Sequence, residues 1–524
     1  MSAPSGEAKH ICIVGGGPGG LAALKMIMDT PQYKDGLWQA TVFEEREKIG
    51  GVWVPAPPVD DPPVTPLYDS LTTNLPHPIM CYESFLFPPS TPLFPPAATV
   101  EKYLSDYAAH FNLTPHIRLQ TQVKSVDWLP DVQKWKVQVQ AHGILEEPLY
   151  DLLIVANGHY RLPRYPTTPG LDAWRAAGKA THSTWYRRPE HMGNTVLVVG
   201  GGPSGTDISA EMRTVAHTII HSMSNPPPHK PPLKIQDLDG GRFKIRGRVA
   251  AFGDVKEGRV VFQDGSEEAG IDHCILATGY QHHDPFLPPT LLRVEVPPPV
   301  PPLPPMLYNS TYHIFPVARH LFPLSQSFPP SRIAFLGLLK GIAPLPVMEA
   351  QIRATLAAFA DPSILNTETE AAGIVERYEH LRARLGAEAS ESHIAAAWHV
   401  FAPQMQFDYR DELHELIGCE ERVPKWVREV YDKRDVLRAE WRELERIGEA
   451  EEWVRGVGEG GVEEWVQLMR KVCKRAEERP KEEVKDGREA SLARAEGEDG
   501  GEVRIAQAPA DGAIEKDAWR CVVH

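Results

Sequence analysis

Two glycine clusters carry the chemistry easiest to name in this sequence. Gly15-Gly16-Gly17-Pro18-Gly19-Gly20 directly follows the apolar run Ile11-Cys12-Ile13-Val14. Gly15, Gly17 and Gly20 stand at the spacing of a phosphate-binding turn. Gly15 permits the tight turn, Gly17 lets backbone amides approach a pyrophosphate, and Gly20 allows close helix–strand packing. The helix expected next presents unsatisfied N–H groups and the positive end of its dipole. Glu44 closes a second apolar segment, Thr41-Val42-Phe43, where a carboxylate can accept from both hydroxyls of a ribose. Glu45 is adjacent, but strand alternation and the Phe-Glu order favour Glu44. A carboxylate there repels a 2′-phosphate, so this site suits FAD or NAD and not NADP. Gly200, Gly202 and Gly205 repeat the pattern after Val196-Leu197-Val198-Val199, with Ser204, Thr206 and Asp207 at the helix start. Two dinucleotide sites in one chain point to hydride passing from a nicotinamide to a flavin.

The elements that must position these turns are legible from periodicity. Strand, turn and helix run from Ile11 to Met28, and Thr41–Glu44 is the next strand. Val100–Phe111 reads as an amphipathic helix. Val123–Trp128 and Trp135–Val139 alternate as a hairpin. Tyr150–Ala156 is a buried strand ending at Asn157-Gly158. A second unit begins at Thr195–Val199, continues with a helix over Thr206–Val215, and closes with Ile271–Ala277 and Thr278-Gly279-Tyr280. In two-dinucleotide flavoproteins, glycines such as Gly158 and Gly279 mark the crossings between domains. Pro285–Pro305 is too rich in proline for a regular helix or central strand. Ile333–Leu338 and Val347–Ala358 read as a last strand and helix. Beyond about Thr367 the chain turns helical and charged, with a short duplication around Trp453 and Trp465. The tail from about Arg479 lacks apolar periodicity and is expected to be disordered.

Composition excludes several classes. The 524 residues include 50 prolines, 41 glycines and six scattered cysteines, and the net charge is −15. That acidic balance argues against a nucleic-acid binder, which needs clustered Lys and Arg. The cysteines form no C-x-x-C pair, and their scatter excludes a dense disulfide framework. No apolar run approaches the ~18–20 residues of a transmembrane span, and no secretory pattern opens the chain. A cytoplasmic protein is expected. Cys521-Val522-Val523-His524 has prenylation spacing, but His is not a usual final residue. No Ser/His/Asp set and no clustered metal ligands stand out.

Taken together, these residues resemble the flavin-containing monooxygenase family over roughly Lys9 to Ala358. Phe43-Glu44 with Gly50-Gly51-Val52-Trp53 is similar to its flavin-side segment. Tyr68 and Thr73-Asn74-Leu75-Pro76, then Met80, Tyr82 and Phe85, are similar to its active-site asparagine region. His182-x-x-x-Tyr186-Arg187 is similar to its identifying motif, although Trp174 and Gly178 stand where that motif usually opens Phe-x-Gly. Phe335-Leu336-Gly337 and Glu349-x-Gln351-x-Arg353 are similar to the return to the flavin domain.

The resemblance implies an α/β fold with two Rossmann-like domains, the NADP domain inserted into the FAD domain, plus C-terminal helices. The flavin domain would span 1–164 and 286–475, the nicotinamide domain 165–285, and the tail 476–524. The implied enzyme uses FAD, NADPH and O₂ to form a C4a-hydroperoxyflavin, which oxygenates a nucleophilic sulfur or nitrogen of a small molecule. Asn74 is implied as the catalytic residue. Val52, Trp53, Thr73, Arg187 and Gln351 join the glycine-turn residues as cofactor contacts. The segment Thr218–Asn225 after the second glycine turn lacks the arginine that the family commonly places nearby to grip a 2′-phosphate; Lys230, Arg213 or Arg187 could substitute. The nearest enzymatic alternative is a Baeyer–Villiger monooxygenase, which places Trp where Tyr186 stands. A flavin-binding regulatory protein is the non-catalytic alternative, and homo-oligomerisation stays open.

Overall fold

The computed structural model describes residues 8–224, 232–386 and 388–479. Lys230, the tail from 480 onward and Cys521 lie outside the described residues.

Two parallel sheets organise the chain. The first runs Ile333–Phe335, Leu152–Val155, Lys9–Val14, Trp38–Phe43, Ile117–Arg118, with every neighbouring pair parallel. Leu152–Val155 lies beside Ile333–Phe335 in space, yet the whole second unit separates them in sequence. That pairing is the insertion seen in backbone hydrogen bonds. The second sheet runs Gln236–Leu238, Phe243–Arg246, Thr218–Ser222, Thr195–Val199, His273–Leu276, Ala180–His182, antiparallel only at its first pair. Its central strands are apolar on both faces, as parallel strands covered on both sides must be. The fold is therefore α/β with one dinucleotide-binding unit set into another.

The two crossings run side by side. Arg164 N–H donates to Gly279 O and Gln281 N–H to Leu162 O, both at 2.9 Å. Asn157 Nδ2 reaches Asp284 Oδ1 at 3.1 Å. The sequence-expected hairpin pairs Trp128 with Trp135. The proline-rich stretch contains only the two-residue strand Leu292–Arg293, at the edge of a three-stranded sheet. Both glycine-turn helices begin earlier than expected, at Pro18 and Pro203, because proline at the first helical position lacks only an N–H that would be unpaired anyway.

From Thr367 onward helices pack as a layer against the flavin unit. Trp441, Leu444, Trp465, Met469 and Val472 bury against Leu75, Ile79, Met80 and Phe94. The proline-rich loop that carries Asn74 is thus sandwiched between the first unit and the C-terminal helices. The duplicated pieces take different roles: Ala450–Val454 is a short helix, whereas Trp465 sits inside the helix Val462–Glu478 with its ring 4.3 Å from His77.

Candidate active site

The first glycine turn is a tight cradle. Gly15 has φ +104°, in the region that favours glycine. A Cβ on Gly20 would stand 1.9 Å from Gly15 O, so only glycine lets the helix lie this close to the strand end. Helix Pro18–Asp29 has no acidic residue in its first turn, which leaves its positive end free to meet an anion. Glu44, 5% exposed, follows the strand end and accepts from Gly16 N–H at 2.7 Å and Arg46 N–H at 2.8 Å. Burial raises its pKa above the ordinary carboxylate range, and the two amides work against that shift. Each carboxylate oxygen keeps a second lone pair for a ribose hydroxyl.

A roof covers this turn. Arg46 donates to Gly51 O at 2.9 Å and to Val54 O at 3.0 Å, while Gly50 N–H donates to Gly16 O at 3.0 Å. Gly51 comes so near Gly17 that a Cβ on it would lie 2.9 Å from the Gly17 Cα. Val52 and Trp53 form the short 3₁₀ turn of this roof, and Trp53 packs between the flavin-unit core and the C-terminal layer.

The second turn has the same bones. Gly200 has φ +128°, and a Cβ on Gly205 would stand 1.9 Å from Gly200 O. His221 Nε2 lies 2.8 Å from Gly200 O and braces it. Helix Pro203–Met212 again carries no acid in its first turn. Among the described residues this turn is more open: Gly201, Gly202 and Pro203 are exposed, and a Cβ on Gly202 would meet none of them within 4 Å. Ser204 and Thr206 are half-buried beside it. Met223 occupies the place that Glu44 holds in the first unit, packed against Gly201 as Glu44 is against Gly16.

Asn74 is exposed between buried Thr73 and Leu75, so its amide faces outward from an anchored loop. Thr73 turns inward: its hydroxyl donates to Leu75 O at 2.8 Å and its N–H to Pro95 O at 3.0 Å. Tyr82 ties the same loop to the first turn by donating to Pro18 O at 2.7 Å.

Several of the expected cofactor contacts have polar groups bonded within the chain. Arg187 spends its guanidinium on the carbonyls of Ala56, Thr65, Thr184 and Tyr186. It clamps the linker to the flavin-side loop. Arg213 pairs with Asp239. Asp207 uses both oxygens at 2.9 Å, one on Tyr68 Oη and one on Arg442. Gln351 is fully buried, accepting from Gly337 N–H and donating to Tyr409 Oη, so it props the turn beneath it. His182 bonds to Gly279 O and accepts from Thr184 N–H. Burial lowers its pKa to about 4, which makes it a neutral tie and not an acid–base group. Arg46, Met223, Arg438 and Arg442 are the participants that sequence reasoning missed. Only Met223 had a local signal, its place after the strand that matches Glu44's.

No group of three or more His, Cys, Asp or Glu among the described residues could hold a metal ion. None of the described helices is long and apolar enough to cross a membrane. Two glycine cradles on two parallel sheets, one with an acid for a ribose and one without, fit FAD and NADP(H). This fold and site define a two-dinucleotide flavoprotein oxidoreductase.

The comparisons with known proteins refine that class. The family model described as flavin-binding monooxygenase-like matches residues 8–226. Flavin-containing monooxygenase FMO GS-OX-like 7 of Arabidopsis thaliana is 30% identical over 418 residues, covering 73% of this chain and 82% of the relative. Human flavin-containing monooxygenase 2 is 27% identical, covering 79% of this chain and 83% of its own length. The structure of S-allyl-L-cysteine S-oxygenase from Allium sativum superposes with a TM-score of 0.67 at 24% identity, covering 85% of this chain and 98% of that one. The chain belongs to the flavin-containing monooxygenase family, whose cofactors are FAD and NADP(H).

Proposed function

We propose that this chain oxygenates a nucleophilic sulfur or nitrogen of a small molecule with NADPH and O₂, by the hydroperoxyflavin route. The observation that carries the reading is the exposed Asn74 on a loop tied to both glycine turns, to the first through Tyr82 and to the second through Tyr68 and Asp207. Bound at the first turn, FAD supplies the chemistry of reduction by NADPH and oxygen activation. The chain's own residues bind, orient and exclude water. Gly15, Gly17 and Gly20 receive the FAD pyrophosphate, Glu44 its ribose, and Val52 and Trp53 roof it. Gly200, Gly202, Gly205, Ser204 and Thr206 receive NADPH, and Met223 leaves room for a 2′-phosphate without repelling it. Asn74 offers its amide where the two cofactors meet. Thr73, Gln351, Asp207 and Arg187 act through positioning. The flavin domain is taken as 1–164 and 286–475 and the nicotinamide domain as 165–285.

The proposed route asks for no acid–base pair at the substrate, which suits one that is already nucleophilic. The site's chief task is then keeping water out. The Allium sativum neighbour is an S-oxygenase, so a thioether leads the test panel, with a tertiary amine and a cyclic ketone beside it. NADPH-dependent sulfoxide or N-oxide formation, read by product mass, is expected. Ester from the ketone, or NADPH consumption with no product from any member, would overturn the reading.

A further inference from the structure

The C-terminal helix Arg434–Arg446 reaches the Asn74 loop and the nicotinamide unit at once. Arg438 is 8% exposed and points its guanidinium into the loop. Its Nη1 donates to Thr73 O, and its Nη2 donates to Thr72 Oγ1 at 2.7 Å. The same guanidinium lies 5.1 Å over the Phe94 ring. One turn later, Arg442 Nη2 meets Asp207 Oδ1 at 2.9 Å. The other Asp207 oxygen accepts from Tyr68 Oη at 2.9 Å, and Tyr68 opens the loop that carries Asn74. Glu211, one turn beyond Asp207, accepts from Tyr186 Oη at 2.6 Å and from Ser70 Oγ. The contacts close a ring from loop to C-terminal helix, to nicotinamide-side helix, and back to the loop.

Stability alone does not explain this ring. The surrounding layer packs through Leu437, Trp441 and Leu444, and an apolar residue would fill the place of Arg438 without burying a charge. Burial lowers the Arg438 pKa to about 10, which shows the cost of placing it there. Its bonded partners on the loop are neutral, a carbonyl and a hydroxyl. A planar two-pronged donor does fix direction, because it holds two adjacent residues in one plane. Those residues are the two that precede Asn74.

We infer that Arg438 and Arg442 are positioning residues for the oxygenation. They hold the Asn74 amide in register with the second glycine turn, so that reducing equivalents reach product and do not leak to peroxide. This inference rests on the assignment of Asn74 made above. A misplacement of about 1 Å at a reacting centre can cost about 100-fold in rate, so a latch outside direct contact can matter.

The test compares FAD-loaded wild type with Arg438→Lys, Arg438→Met, Arg442→Gln and Asn74→Ala. Arg470→Gln is the control, since Arg470 makes an exposed pair with Glu429 in the same helical layer. The readouts are peroxide released per NADPH consumed, FAD content, and hydrogen exchange of amides 70–76. Arg442→Gln and Arg438→Met should raise the peroxide share by about tenfold and speed exchange at 70–76, with FAD content kept. Arg438→Lys, which keeps charge but loses the fork, should fall between. Unchanged peroxide in both arginine variants, while Asn74→Ala leaks, would overturn the inference and spare the Asn74 assignment. No leak from Asn74→Ala would sink that assignment, and this inference with it. An equal rise in Arg470→Gln would also overturn it, by showing general softening of the layer.

Discussion

The two glycine turns share a skeleton and differ in their walls. In each, a left-handed glycine ends a buried strand, and the last glycine of the turn touches that residue's carbonyl. The first turn is buried, roofed by Gly50–Trp53 and walled by a carboxylate. The second is exposed, carries no such roof among the described residues, and is walled by a thioether. The skeleton is what any pyrophosphate needs; on the function proposed above, the walls would decide which dinucleotide stays and which exchanges. On that reading, the closed first turn would slow loss of a resident group, and the more exposed second turn would let a consumed group leave.

The shared part of the comparison breaks most violently. Gly20→Ala and Gly205→Ala each drive a methyl into a backbone carbonyl at 1.9 Å. Backbone cannot yield as a side chain tip would. Each variant should lose at least about 3 kcal/mol in denaturant unfolding, with FAD lost from the first. If one tolerates alanine and the other does not, the turns do not share the same skeleton.

The wall is tested by exchange of its chemistry. Met223→Asp would set a carboxylate against Gly201, as Glu44 stands against Gly16. Repulsion of a 2′-phosphate should lower the ratio of kcat/KM for NADPH over NADH by about 10–100-fold, or about 1.4–2.7 kcal/mol. Folding should change little, because Met223 is half-buried beside exposed Gly201 and Gly202. An unchanged ratio would remove Met223 from cofactor selection.

What could be read in the chain follows from how local each feature is. The glycine turns and Glu44 are strand–turn–helix features a few residues wide, and the structure keeps them as the spacing dictates. The insertion was expected through the family resemblance, and the pairing of Ile333–Phe335 with Leu152–Val155 shows it. Side-chain commitment was not legible. Arg187 reads as a phosphate fork until four carbonyls claim its donors, and Asp207 reads as a turn residue until Tyr68 and Arg442 take both oxygens. Thr73 and Gln351 likewise turn inward, Thr73 to Leu75 O and Gln351 to Gly337 and Tyr409, partners that spacing does not reveal. Arg438 lies 365 residues from Thr73, in a stretch that reads only as charged helix. Periodicity places it on a helix but cannot say what that helix covers.

The smallest effect separates the walls by titration. Burial raises the Glu44 pKa, with Gly16 and Arg46 amides opposing. The folded state then holds this proton more tightly than the unfolded chain does. The sign follows from linkage: this contribution to stability is full below the ordinary carboxylate pKa, and is lost as pH rises through the raised value. Met223 has no such dependence. In flavin-free protein, the stability of wild type relative to Glu44→Gln should therefore fall as pH rises from about 4 towards neutrality. Met223→Gln should run parallel to wild type over the same range. Denaturant unfolding at a series of pH values measures both. Parallel curves for Glu44→Gln and wild type would mean that the two backbone amides fully offset the burial of Glu44, and that the walls differ in shape and charge but not in proton affinity.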